Sequence, residues 1–277
     1  MLRPSEIAAA FSACNGESRR LASEDVRSRV LTLSSVSKTP QPFWSDTLKN
    51  CLLTEAEMLL DRALYHICAG NSLVWEGKLT WAIVTFYYSS FFAVHALVRL
   101  QDESLVRIQN RYYRVRAGRP GSNDFDIRSV ANGRSHQAIW NLYHHLYSKF
   151  PWPTGEFLPI TSPADPLWDI GRRSDANYDL AKGYGELRMT PADIRREIKR
   201  RHRDVFEALH RSLADDDLAV ESRALLRIKL LIDILQLVAS RGPYQSYFES
   251  RRARRRDYVS SHLNHPSLKS RLASWLA

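Results

Sequence analysis

Arginine and tyrosine alternate through "LVRIQNRYYRVRA" at 105–117, a mixture suited to gripping phosphates and stacking on bases. Arg107, Arg111, Arg114 and Arg116, with Arg119 just beyond, supply the cations, and Tyr112 and Tyr113 supply the rings. A guanidinium can hold phosphate oxygens through two parallel hydrogen bonds, so the composition points to nucleic acid. Two later stretches repeat the signal. Arg195, Arg196, Lys199, Arg200 and Arg203 flank an expected helix, and "RRARRR" at 251–256 sets five arginines in six residues. Mutual repulsion in that run calls for solvent or an acidic partner. We expect nucleic-acid contact from Arg107, Arg111, Tyr113, Arg114 and Arg116, from Arg196, Arg200 and Arg203, and from Arg252 and Arg255. An acidic protein partner is the alternative reading of these surfaces.

Other chemistries have little to work with. His262 and His265 are three apart, but Pro266 follows directly, and no HExxH or carboxylate-histidine cluster accompanies them, so no metal site is expected. His144 and His145 are adjacent and leave a helix on different faces. The chain has no P-loop, no dinucleotide glycine fingerprint and no GxSxG elbow, and no cofactor is expected. Cys14, Cys51 and Cys68 form no CxxC pair and leave an odd one over, which argues against disulfides and thiolate metal sites and for a reducing cytoplasm. No targeting segment is expected, because the first residues lack a long apolar run. Forty Lys+Arg against thirty Asp+Glu give a net charge of +10 over 277 residues, and 44% hydrophobic content is ample for a core.

The element that must organise this chemistry is 81–98, "WAIVTFYYSSFFAVHALV", apolar almost all the way round and therefore expected to be enclosed by other helices. Thr85, Ser89 and Ala93 form a small-residue stripe for close packing, and a buried helix is favoured over a membrane span. Helices are expected at 4–11, at 44–68 with Ser45 or Asp46 as cap and Gly70 and Asn71 as terminators, and at 77–101, 135–150 and 167–181. Others follow at 190–213, 218–240, 244–264 and 267–276. Alternation at 105–117, turn residues in "GRPGSND" and a second alternation in "FDIRSV" predict an Arg-rich β-hairpin. The proline-rich 151–166 must be an extended connection, and 1–43 reads as a loosely attached arm.

"AIVTFYYSSFFAVHALVRL" followed by "RRSDANYDL" resembles the HEPN superfamily of helical prokaryotic proteins. Tyr87, Tyr88, Ser89, Phe91, Ala93, Ala96 and Leu97 match an aromatic-rich pattern of one branch, and Arg173, Ala176, Asn177 and Tyr178 match its second helix, with Asn177 where Asp is commoner. The resemblance covers roughly 45–213 and leaves the C-terminal residues and the hairpin unexplained. It implies an all-α, HEPN-like helical bundle with an Arg-rich β-hairpin insertion at 105–130 and a C-terminal helical extension at 214–277. The arm at 1–43 would precede a HEPN-like domain at 44–213.

Many such relatives are metal-independent ribonucleases that use an Arg and a following His, completed across a homodimer. Arg stabilises the phosphorane-like charge, and His moves the proton. Here Tyr178 stands where a His would close the motif from Arg173, and no His occurs between Arg172 and Arg201. Catalytic candidates are therefore Arg173, Asn177 and Tyr178, with His262 behind Arg255 and Arg256, and His210 behind Arg203, as substitutes. The resemblance implies an RNA-directed protein, a ribonuclease effector or toxin of a prokaryotic defence or toxin-antitoxin system. It also implies a homodimer and a cognate nucleotidyltransferase or antitoxin-like partner. The alternative is a non-catalytic HEPN-like scaffold binding a partner protein or nucleic acid.

Overall fold

The computed structural model describes residues 1–30, 39–119, 121–130, 135–148, 167–178, 192–193, 196 and 220–277. Its elements in chain order are α1 (Pro4–Ala10), α2 (Ala22–Val30), β1 (Gln41–Trp44), α3 (Leu48–Trp75), α4 (Leu79–Leu100), β2 (Glu103–Ile108), β3 (Arg111–Ala117) and β4 (Asp124–Val130). Then follow α5 (Ser135–Tyr147), α6 (Trp168–Tyr178), α7 (Val220–Ala239), α8 (Gln245–His262) and α9 (Pro266–Trp275). The protein is mostly helical with one four-stranded antiparallel sheet. It divides into two compact units, one of Met1–Leu59, Val94–Pro153 and Asp233–Ser250, the other of Leu60–Ala93, Thr154–Ile232 and Arg251–Ala277.

In the first unit the strands run in the order β1-β4-β3-β2. The residues of the expected hairpin thus form three of the four strands of a larger sheet. What read as a single strand over 105–117 is two, β2 and β3, joined at Gln109 and Asn110, with Gln109 at φ 54°. Asn110 is a common turn residue, but the positive φ falls on Gln109, which is not, and a reading by alternation alone runs through the pair. Period-two alternation then sorts the faces: Tyr113, Val115, Ala117, Phe125 and Ile127 are buried, while Tyr112, Arg114, Arg116 and Arg128 lie on the other face.

The N-terminal segment is not a loose arm. Ile7, Ala8, Phe11, Ala22 and Val26 are buried, and β1 pairs with β4. Helix α3 collects its backbone donors: Asn50 Oδ1 accepts from Asn15 and Gly16, Thr54 Oγ1 from Ser18, and Glu55 Oε1 from Ala22 at 2.7 Å. Asp25 accepts hydroxyl bonds from Ser45 and Thr47, both at 2.8 Å, and Ser45 Oγ in turn takes the Leu48 N–H at the start of α3. Each group is unremarkable in sequence, and the tie exists only once α3 is in place.

In the second unit Gly70 and Asn71 lie inside α3, which runs on to Trp75. Gly70 is there for proximity: a Cβ at 70 would stand 2.5 Å from the Phe86 ring on α4. One contact along, Ser89 Oγ donates to Ala63 O at 2.8 Å, so the small-residue stripe does bring α3 and α4 close. Helix α4 is long and apolar enough to cross a membrane, but most of it is buried inside the fold, with Trp81 at 62% exposure the main exception. Each fully buried Phe or Leu there is worth about 1.5–3 kcal/mol.

Candidate nucleic-acid interface

On the polar face of the sheet, Arg114 and Arg128 are direct cross-strand partners, and Arg116 follows one alternation along β3. Like charges placed opposite one another in this way destabilise a sheet. Glu103, itself buried, takes the Nε–H of Arg114. Among the described residues Arg116, Arg128 and the nearby Asp126 make no ion pair. Pro40, Arg114, Arg116, Asp126 and Arg128 line a cavity of about 120 Å³. A second cavity of about 280 Å³ shares Arg114 and Arg128 and adds Leu105, Val130, Ala138, Asn141, Leu142 and His145.

Helix α5 forms the wall of the second cavity. It buries Ile139, Trp140, Tyr143, Leu146 and Tyr147, and Tyr147 donates its hydroxyl to Leu97 O at 2.7 Å. With that side committed, Ala138, Asn141, Leu142 and His145, spaced i, i+3, i+4 and i+7, turn toward the arginines. Aromatic rings flank them. Tyr112 lies under the Arg107 guanidinium at 5.9 Å, and Trp44, 54% exposed, occupies the same face on β1.

Of the residues expected at this surface, Arg107, Arg114 and Arg116 are placed on it, whereas Arg111, exposed at the start of β3, has the parity of Tyr113 and belongs to the other face. Tyr113 is not on it either: it is buried on the apolar face, whereas its neighbour Tyr112 lies on the arginine face. Strand parity carried that information, because Tyr112 shares a face with Arg114 and Arg116. Arg128, Trp44 and His145 went unnoticed, since strand pairing and the docking of α5 bring them in, and neither is visible locally.

The "RRARRR" run behaves otherwise. Arg251 and Arg255 both bind the Asp61 carboxylate, Arg255 through Nε at 2.6 Å, and Arg255 is buried. Arg255 is therefore not a free phosphate contact. Arg252 is half-buried, whereas Arg254 and Arg256 are exposed. His262 lies exposed at the end of α8, stacked on Tyr258 at 4.2 Å, with Nδ1 2.9 Å from Tyr258 O. Arg196 is exposed and 3.5 Å from Asp193, while Arg200, Arg203 and His210 lie outside the described residues, as does most of the expected helix at 190–213.

Helix α6 is held by a buried cation that sequence reasoning missed. Arg227 grips Asp169 with two bonds, at 2.8 and 3.0 Å, and also donates to Ser90 Oγ. One arginine inside the apolar "ALLRIKLLI" is the signal that was there to read. One turn beyond Asp169, the Arg173 guanidinium lies over the Tyr87 ring at 5.2 Å, and its Nε is buried without a hydrogen bond. The helix backbone extends through Asn177 and Tyr178, whose side chains lie outside the described residues. Among the described residues no hydrogen bond or ring contact joins Arg173 to His262 or to another histidine.

Thiol chemistry is closed off physically. Burial pushes the Cys14 thiol to about 11 and the Cys68 thiol to about 12, so both stay protonated near neutrality. No group of three His, Cys, Asp or Glu able to hold a metal is found among the described residues. Comparison with protein-family models, curated proteins and solved structures finds no match for this chain.

Proposed function

We propose that the protein is an RNA-binding protein with a HEPN-like helical scaffold, and that it holds RNA on the arginine-rich face of the sheet. The opposition of Arg114 and Arg128 carries this reading. Arg128 stands directly across from Arg114, Glu103 takes only the Arg114 Nε–H, and Asp126 across from Arg116 pairs with neither arginine, so a phosphodiester would meet Arg116 and Arg128 and bring bases to Tyr112 and Trp44.

Binding is favoured over cleavage at the Arg173 motif because Tyr178 stands where a His would close it and the Arg173 guanidinium lies over the Tyr87 ring. His262, stacked on Tyr258, remains the competing catalytic candidate. The homodimer, the nucleotidyltransferase or antitoxin-like partner and the effector role belong to the same reading through the resemblance. The test is fluorescence anisotropy of labelled single-stranded RNA over a salt series, with EDTA present and the RNA run on a gel afterwards. Salt-sensitive binding of intact RNA supports the scaffold. Cleavage that disappears in R173A or H262A returns the ribonuclease reading, and absence of binding at low salt refutes both.

A further inference from the structure

Within the second unit, Asp61, Leu64 and Tyr65 of α3 and Arg251, Arg254, Arg255 and Tyr258 of α8 line an open cleft of about 350 Å³. Spacings of i, i+3, i+4 and i, i+3, i+4, i+7 put each set on one helix face, so the cleft is a product of how these two stripes meet. Its ends differ in character. At one end Asp61 is engaged by both Arg251 and Arg255. At the other, Tyr65 and Tyr258 lie with ring centroids 6.5 Å apart at 31°, above the buried Leu64 side chain.

The outer face of the Tyr258 ring is covered by His262 at 4.2 Å, which fixes that wall before any occupant arrives. Burial also raises the Tyr258 hydroxyl above its ordinary value, so the wall stays uncharged near neutrality. Arg254 lines the same cleft, is exposed, and makes no ion pair among the described residues. The lining therefore holds three cations and one carboxylate, and that carboxylate is already shared by two of the cations.

A neutral apolar occupant would make no use of the Arg254 guanidinium, and a polyphosphate would have only one exposed guanidinium to meet. The volume lies at the small end of sites that enclose organic ligands, about 300–1,000 Å³. We infer that this cleft binds a small aromatic anion, its ring against Leu64, Tyr65 and Tyr258 and its anionic group on Arg254. The site is independent of the sheet, so the RNA reading can fail without affecting it.

Titration calorimetry of the full chain with indole-3-acetate, phenyl phosphate and the neutral indole-3-acetamide tests the assignment, with R254Q and Y258A alongside. Saturable 1:1 binding of at least one anion is expected, tighter than the amide by 10-fold or more, and the preferred anion identifies a carboxylate or a phosphate as the natural group. R254Q should abolish the anion preference while leaving amide binding unchanged. Y258A should weaken acid and amide alike. Equal binding of acid and amide, retention of the preference in R254Q, or no binding of either anion at millimolar concentration overturns the inference. Because Arg254 is exposed, R254Q keeps the test decisive even where Y258A fails to fold.

Discussion

Two of the arginine-rich stretches look alike in sequence and have opposite fates in the fold. On α8, spacing puts Arg251 and Arg255 on one helical face, where Asp61 of α3 absorbs both, and Arg255 is buried. On the sheet, alternation and register put Arg114, Arg116 and Arg128 on one face, where Glu103 takes Arg114 and no ion pair takes the other two. The first cluster is a structural joint; in the second Glu103 takes one arginine, Asp126 stands across from Arg116 without pairing with it, and Arg128 faces Arg114. Arginine count therefore says little about ligand binding until the carboxylates that neutralise it are located.

The contrast can be broken most forcefully at Asp61. D61N leaves Arg251 and the buried Arg255 without their shared anion and should cost about 2–3 kcal/mol in urea denaturation. An unchanged midpoint would mean that the joint is only a surface feature. Next in size, R114Q, R116Q and R128Q together should weaken single-stranded RNA binding about 100-fold and lower the log-log salt slope by about 2. R256Q on α8 should shift RNA affinity by less than about 3-fold, and a comparable loss there would erase the distinction.

A smaller effect of opposite sign is expected from R128Q alone. Removing one of two opposed charges should stabilise the free protein by about 0.5 kcal/mol while RNA affinity falls, a trade that thermal melts with and without RNA would reveal. The mildest test is acid. Burial, reinforced by the Arg62 charge, lowers the His66 imidazole below its ordinary value, so the unfolded chain takes up a proton that the native state refuses. The His66 contribution to stability should be complete above the unfolded histidine range of about 6.5 and should fade as pH falls through the lower folded value. H66Q should flatten that limb of the stability profile.

Long-range order was legible where periodicity ran uninterrupted. Helix α4 at Leu79–Leu100, α5 at Ser135–Tyr147 and α7 at Val220–Ala239 fall close to the spans read from apolar spacing. Alternation likewise announced strands. What alternation could not supply was the partner: β1 sits far from β4 in sequence, so the sheet read as a hairpin and 1–43 as an arm. The site suffered in the same way. Arg114 and Arg116 were read from local composition, whereas Arg128, Trp44 and His145 join them through register and helix docking. Tyr113 was chosen over Tyr112 although parity within β3 already separated them. Asp61 lies nearly two hundred residues from the arginines it neutralises, so nothing local marked "RRARRR" as half spent.

Gly70 has a consequence for anyone wishing to engineer this protein. A propensity table marks a glycine in the middle of a 28-residue helix as an easy gain on replacement by alanine. Here the methyl group would enter the space of the Phe86 ring, so the usual remedy turns into a clash. Residues 70 and 86 are a lock and key within one chain. Libraries that vary one without the other will return mostly losses, and drift at either position must pass through a matching change at its counterpart.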